Sequence, residues 1–370
     1  MQFNNLSKQW QEISEDVLPL INELGLRGDF INGKAVENFE SEFSKYFGAK
    51  YGVGISNGTD ALKIALQLLD LSSKDLVIMP ANTFIADYLA VKNLPNEQPK
   101  VALIDHDEFF MIDMVNLETY LEKERGNYNK IVVMAVHLYG HCCDIESLIR
   151  LKKIYNLFVI EDCSQSHGTK YKDQFLGNAG DISVYSLYPG KNLGAMGDAG
   201  ILTTNDENIY KRAKSLRNYG SSVKYHYDEL GNNHRLDTIQ AIVLSAKLKK
   251  LSSWNNKKQE VAEKFLSEIK NPLIQLPSRS KDCTYHSYHI FCIRVRERRD
   301  SFIDFLNSSS IPTIIHYPIP IHKTKIFQND IIVSCSNTDQ TCDEIISLPI
   351  HAFMTEDEIE LIISTINNWR

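Results

Sequence analysis

At 370 residues, with 43% hydrophobic and 24% charged residues, the chain has the balance of a globular protein and is too long for one ordinary domain. A formal charge of -7 without any Lys/Arg cluster excludes an electrostatic nucleic-acid binder. No apolar run reaches the length of a membrane span, and seven cysteines without framework spacing point to free, mostly buried thiols in a reducing, cytoplasmic setting.

Residues 7 to 24 read as an amphipathic helix (Trp10, Ile13, Val17, Leu18, Leu20, Ile21) ended by Gly25, with no signal-peptide pattern. Arg27 to Gly33 is a turn-rich loop, and Val36, Phe39, Phe43 and Phe47 repeat at helical spacing up to Gly48. Tyr51 to Leu66 gives a short strand, a small polar turn and a helix. That turn aims backbone N–H groups and the helix dipole at whatever precedes it, and a phosphate suits the place. Val77 to Ala86 is a strand leaving into a loop that carries Phe84. Val101 to Asp105 and Ile131 to His137 are further strands, each followed by a helix pattern, which is the alternation of a doubly wound sheet. His137 and His141 could be mistaken for metal ligands, but a metal would need ligand spacing and a third ligand nearby, so no metal is expected.

The centre of the chain carries the chemistry. An apolar run, Leu157 to Ile160, ends in Asp162, and ligands of open α/β sheets sit at the carboxyl ends of strands. Lys191 follows Pro189-Gly190 on a tight turn, where a lysine is reachable and desolvation favours its free amine. A Schiff-base lysine with a carboxylate on a ring nitrogen is the protein's contribution to pyridoxal phosphate chemistry. Downstream, a helix begins near Asp237 with Ile239, Ile242, Val243 and Leu248 on its apolar face. From about residue 249 come a helix whose lysines (Lys249, Lys250, Lys257, Lys258) read as a solvated face, and short strands including Tyr288 to Val295. Ile311 to His322 is a loop rich in proline and aromatic residues.

Glu161-Asp-Cys-Ser-Gln-Ser-His-Gly168, Gly180 to Gly194 and Gly197-Asp-Ala-Gly-Ile-Leu202 together resemble the central signature of the DegT/StrS-type sugar aminotransferases, and the likeness runs in order over nearly the whole chain. The resemblance implies an α/β fold of the pyridoxal phosphate type I, aspartate aminotransferase-like class. A large domain (1-248) would hold a mainly parallel seven-stranded sheet, and a smaller α+β domain (249-370) would follow. It implies pyridoxal 5'-phosphate as cofactor, with Lys191 catalytic and Asp162 on the pyridine nitrogen. Gly58, Thr59 and Ser186 would hold the phosphate, Phe84 would stack on the ring, and Gln165 would touch the phenolic oxygen. Asn233 would reach the phosphate of a partner subunit's cofactor, making the unit a homodimer with active sites at the interface, and Arg235 would meet an anionic group of donor or substrate. His316 and Tyr317 match the segment that approaches the sugar in members acting on 3-keto sugars. His167 reads as structural support.

The activity so implied moves an amino group from L-glutamate to a nucleotide-linked keto-sugar, a dTDP-3-keto-6-deoxyhexose, in making an amino sugar for a surface polysaccharide such as O-antigen. A UDP-3-keto-uronic acid and an NDP-4-keto-6-deoxyhexose are the alternatives. A sugar dehydratase of the same family replaces the lysine by histidine, and a non-catalytic regulatory or scaffolding relative loses Lys191, Asp162 or the phosphate loop; the intact residues argue against both. One departure stands out: Asp87-Tyr88 occupies positions where small or hydroxyl residues are the pattern, and it bears on the substrate side of the pocket.

Overall fold

A computed structural model describes residues 1–95 and 97–370. Helix α1 (Leu6–Arg27) starts at Asn5, whose side chain accepts from the Lys8 amide, and ends at Gly28 in the left-handed conformation. The expected end at Gly25 is three residues early, because only Gly28 adopts the left-handed cap that closes the last turn. Helix α2 (Lys34–Phe47) ends at the expected Gly48 and buries Val36, Phe39, Phe43 and Phe47.

The central sheet is built from β1 (Tyr51–Ile55), β2 (Leu76–Pro80), β3 (Lys100–Ile104), β4 (Ile131–Val136), β5 (Phe158–Asp162), β6 (Ile182–Ser186) and β7 (Gly200–Thr204). Successive side chains point to opposite faces, so Ile78 and Val133 join one core while Val77, Met79, Val132 and Met134 join the other. A sheet buried on both faces explains why β2 and β4 are apolar throughout rather than alternating. Adjacent strands run parallel from β3 through β2, β4 and β5 to β6, and β7 lies antiparallel between β6 and β1. Helices α3 (Gly58–Gln67), α4 (Ala86–Lys92), α5 (Met114–Glu124) and α6 (Ile145–Tyr155) connect the strands, α7 (Glu207–Leu216) follows β7, and α8 (Thr238–Leu248) starts after Asp237 as expected.

Beyond α8, helix α9 (Leu251–Glu268), α10 (Arg299–Ser308) and α12 (Glu356–Asn368) pack on a small antiparallel sheet of β8 (Ile274–Gln275), β9 (Phe291–Val295) and β11 (Ile345–Leu348) around their own core, with Phe265, Phe291, Phe302 and Ile362 at its centre. Two segments of this region return to the large sheet. Strand β10 (Ile331–Ile332) pairs parallel with β3, so the sheet has eight strands, the seven expected plus this edge. Asp105, at the end of β3, accepts from the Asn337 and Thr338 amides at the start of α11 (Ser336–Glu344).

Three local expectations need correction. Ile239 is 43% exposed, while Ile242, Val243 and Leu248 are buried. The strand expected from Tyr288 begins only at Phe291. Lys258 is buried rather than solvated, because adjacent lysines on a helix point about 100° apart and only Lys257 faces out. All seven cysteines are free and buried, and among the described residues no helix is long and apolar enough to cross a membrane.

Candidate active site

Because β1, β2, β4, β5 and β6 point the same way, their carboxyl ends gather on one edge, where the chain must turn into loops with unpaired donors. A cavity of about 760 Å³ opens there. Gly58, Thr59, Phe84, Asp162, Gln165, Ser186, Lys191, His316 and Tyr317 all line it.

Lys191 closes a tight turn in which its amide donates to the Tyr188 carbonyl at 2.8 Å. The Asn4 side chain donates to the Gly190 carbonyl at 3.2 Å and ties the amino-terminal segment to that turn. Burial lowers the Lys191 ammonium to about 8, against the opposing pull of the Asp162 and Asp87 carboxyls. A free amine is therefore available near neutral pH. Asp162 ends β5 with one oxygen accepting from the Ser164 amide at 2.9 Å.

Opposite, Asn57 caps α3 by accepting from the Asp60 amide at 2.8 Å, and the first amides of that helix, at Gly58 and Thr59, have no intrahelical acceptor. Gly58 sits so close to Ser186 that a Cβ on it would lie 2.6 Å from the Ser186 Cβ. Only glycine allows the helix start and the end of β6 to form one wall. Glu161, fully buried, accepts from the Ala179 and Gly180 amides at 2.7 Å and the Gly177 amide at 3.1 Å, which fixes the loop entering β6. His137 lies 3.1 Å from the same carboxylate and its other ring nitrogen accepts from the Cys143 amide, so both nitrogens are engaged within the protein.

Gln165 is held at both ends. Its oxygen accepts from the Tyr139 amide at 2.8 Å and its nitrogen donates to the Tyr317 hydroxyl at 2.9 Å. Tyr317 packs against Phe84 with ring centroids 5.3 Å apart. His316 meets Ser347 Oγ at 2.8 Å through Nδ1, and burial with the nearby Lys191 lowers it to about 4. His167 is fully buried against the Tyr185 ring, its protonation disfavoured by burial and by Lys191.

Asn233 and Arg235 do not line this cavity. Asn233 is exposed, and Arg235 donates to Asn218 Oδ1 at 3.1 Å and lies over the Tyr219 ring. Neither Asp87 nor Tyr88 borders the substrate side: Tyr88 is buried and donates to Asp330 at 2.8 Å beside β10, and Asp87 turns toward Asp162. Phe3, Asn4, Thr83, Tyr188, Asp198 and His289 also line the cavity, and none was assigned from the sequence. Tyr188 had a usable signal, three residues before Lys191 on the same turn. His289 had none, since its role follows from a contact with Asn192 across the chain, 3.2 Å from Nδ1 to Oδ1.

These residues fit pyridoxal phosphate: a desolvated amine, a buried carboxylate and a helix start with free amides share one cavity, and Gly58 lets that helix start pack directly against Ser186 where any side chain would push the two apart. Residues 11–367 match the family model described as the DegT/DnrJ/EryC1/StrS aminotransferase family. The chain is 40% identical over 355 residues, 96% of its length and 95% of the relative's, to dTDP-3-amino-3,6-dideoxy-alpha-D-galactopyranose transaminase of Aneurinibacillus thermoaerophilus. Its fold superposes with a TM-score of 0.92 on the crystal structure of DesV from S. venezuelae in complex with a ketimine intermediate, at 32% identity over all of this chain and 98% of that one. NtdA of Bacillus subtilis with bound cofactor PMP is similar at 29% identity and a TM-score of 0.84, over 96% of this chain and 81% of that one.

Proposed function

The chain belongs to the DegT/DnrJ/EryC1/StrS aminotransferase family and is a pyridoxal phosphate-dependent enzyme, and we propose that it transfers an amino group from L-glutamate to C3 of a nucleotide-linked keto-sugar, a dTDP-3-keto-6-deoxyhexose. The observation that carries the reading is Lys191, its amine lowered to about 8 by burial, sharing one cavity with Asp162 and the start of α3. The similarity to a dTDP-3-amino-sugar transaminase and the presence of His316 and Tyr317 in the cavity favour C3 and dTDP over the UDP-uronic acid and 4-keto alternatives. The product then serves a surface polysaccharide such as O-antigen, made in the cytoplasm.

When bound, the cofactor supplies an electron-accepting ring and the carrier of the amino group. Asp162 would hold the proton of the ring nitrogen. The Gly58 and Thr59 amides and the Ser186 hydroxyl hold the phosphate, where the α3 dipole favours negative charge. Phe84, half-exposed at the cavity, would cover one face of the ring. With the cofactor in place, Lys191 would be the base that takes the proton from the amino-bearing carbon of the donor and the acid that delivers one to the sugar carbon, its neutral amine regenerated between the two half-reactions. Gln165, held by Tyr139 and Tyr317, presents its amide to the ring oxygen. His316, neutral at working pH, and Tyr317 meet the sugar. We assign residues 1-248 to the cofactor domain and 249-370 to the smaller one, which sends β10 back to the edge of the large sheet.

Each site takes Asn233 and Arg235 from a second copy of the chain. Support comes from their position outside the cavity of their own chain and from exposed apolar groups nearby, Phe30, Ile31, Tyr219 and Ile239. The test is the absorbance spectrum with pyridoxal phosphate before and after L-glutamate, alongside Lys191→Ala, followed by dTDP- and UDP-linked 3-keto and 4-keto sugars. A lysine-bound band that glutamate discharges, absent in the variant, with turnover of the dTDP-3-keto sugar, is expected. No such band in the wild type sinks the catalytic role of Lys191, and faster turnover of a UDP or 4-keto sugar sinks the substrate.

A further inference from the structure

Asp87 carries a buried polar atom that its surroundings leave without a partner. The side chain is fully buried in the first turn of α4, and Thr83 Oγ1 donates to its Oδ2 at 2.5 Å. Its Oδ1 has no donor among the described residues, and the Asp162 carboxyl is the neighbouring anion that acts on this side chain most strongly. Two carboxylates so placed, away from water, repel each other, whereas a proton between them turns the repulsion into a charge-assisted hydrogen bond. A proton on Oδ1 accounts for the orphan oxygen and the neighbouring carboxyl together.

We propose that Asp87 is a neutral carboxylic acid that donates from Oδ1 to Asp162 and so positions that carboxylate toward the ring nitrogen of the cofactor. Asp87 is a positioning residue, since it acts through Asp162 and does not line the cavity. The proposal rests on the reading that Asp162 faces that nitrogen. Burial first, and then the Asp162 charge, push the Asp87 carboxyl well above its usual range, which agrees with the geometry.

The charged and titratable groups acting on Asp87 come from three places, Asp162 at the end of β5, Lys191 on the turn after β6 and the Tyr317 phenol, and the neutral Thr83 hydroxyl on its own loop donates to it. With Asp87 neutral, the pair carries one negative charge, which matches one protonated ring nitrogen. An ionised Asp87 would place a second negative charge beside Asp162 at a fully buried site, with the single Lys191 ammonium to balance both. The sequence marked this position as a departure from the family pattern, and the structure gives it an occupant's reason: an acid fits there only as a hydrogen-bond donor.

Three measurements test the proposal. In the cofactor-free protein, the infrared difference between wild type and Asp87→Asn is expected to contain the carbonyl stretch of a protonated carboxylic acid that shifts in D2O and persists above neutral pH. Absence of that band overturns the proposal, and this arm needs no cofactor, so it stands apart from any failure of the pyridoxal phosphate reading. Second, the pH midpoint for capture of pyridoxal phosphate by Lys191 should be the same in Asp87→Asn as in wild type, because a neutral group replaces a neutral group. A midpoint about one unit lower in the variant would mean that a negative charge was removed, and Asp87 would be an ordinary anionic helix-start residue. Third, Asp87→Asn keeps a donor for Asp162 and should hold the cofactor within about threefold of wild type, while Asp87→Ala should lose at least about tenfold. Equal loss in both variants overturns the donor role, and thermal unfolding of each variant separates that loss from a failure to fold.

Discussion

Lys258 Nζ lies 3.1 Å from Asn192 Oδ1, the side chain that follows the proposed catalytic Lys191, and so a second buried lysine supports the active-site turn from α9. Asn192 in turn donates to Asn255 Oδ1 and to the Ser287 carbonyl, both at 2.8 Å, and His289 Nδ1 shares its oxygen. The turn bearing Lys191 is thus held by residues from beyond α8, and its rigidity depends on how the two regions pack.

Burial lowers the Lys258 ammonium to about 7. Below that pH both folded and unfolded states hold the proton, and the full cost of burying the charge is present. Above it only the unfolded state binds the proton, so stability rises with pH up to the ordinary lysine value. Lys258→Met, of similar volume and without charge, should flatten this rise by about 2 kcal/mol between pH 7 and 9. Denaturant melts at the two pH values check it, and an unchanged slope would mean that Lys258 titrates normally. Lys191 and Lys247, also lowered to about 8 by burial, act in the same direction but are common to both proteins and cancel in the difference.

For Lys191 the same depression has a functional consequence. Only the free amine attacks the cofactor aldehyde, so the rate of capture by the cofactor-free protein should climb with pH and level off above about 8. A stopped-flow absorbance series over pH 6 to 10 measures the midpoint. A midpoint near the ordinary lysine value would show that the turn leaves the amine solvated.

What the sequence made legible, and what it hid, follows from the range of the interactions. That Lys191 and Asp162 meet at one cavity was readable because a Pro-Gly turn and the end of an apolar run are local features. Gly48 stopped its helix where expected, whereas α1 ran on past Gly25, since a glycine outside the left-handed region does not terminate a helix. Strand β10 is two residues long and is held by Asp330, which accepts from the Val101 amide and the Tyr88 hydroxyl; no periodicity announces such an element. Lys258 was misjudged because neighbouring lysines in one run look alike until the helix phase is fixed by packing. Asp87 and Tyr88 were visible as departures, but the directions of their side chains depend on partners 75 and 242 positions away.

Gly58 offers a test of the phosphate cradle. A Cβ there meets the Ser186 Cβ at 2.6 Å and its Cα at 3.0 Å, so Gly58→Ala must push the start of α3 away from β6. Pyridoxal phosphate affinity should fall by at least about tenfold, while alanine, a better helix former than glycine, leaves the helix itself sound. Adding Ser186→Gly removes the nearer clash and should recover part of the affinity despite the lost hydroxyl. Titration of the two variants by absorbance decides it, and no recovery in the double variant would place the defect elsewhere.

The shared-site reading makes a quantitative prediction of its own. Lys191→Ala disables the cavity of its own chain, and Asn233→Ala disables the cavity of the partner, so each homodimer alone should be inactive or nearly so. In a mixed dimer one site combines the intact Lys191 of one chain with the intact Asn233 of the other, and the second site carries both defects. Random exchange places about half the molecules in mixed dimers, so refolding an equal mixture should restore about a quarter of wild-type activity. If Asn233 serves its own chain, mixing restores nothing beyond the average of the two parents, because no intact site can arise.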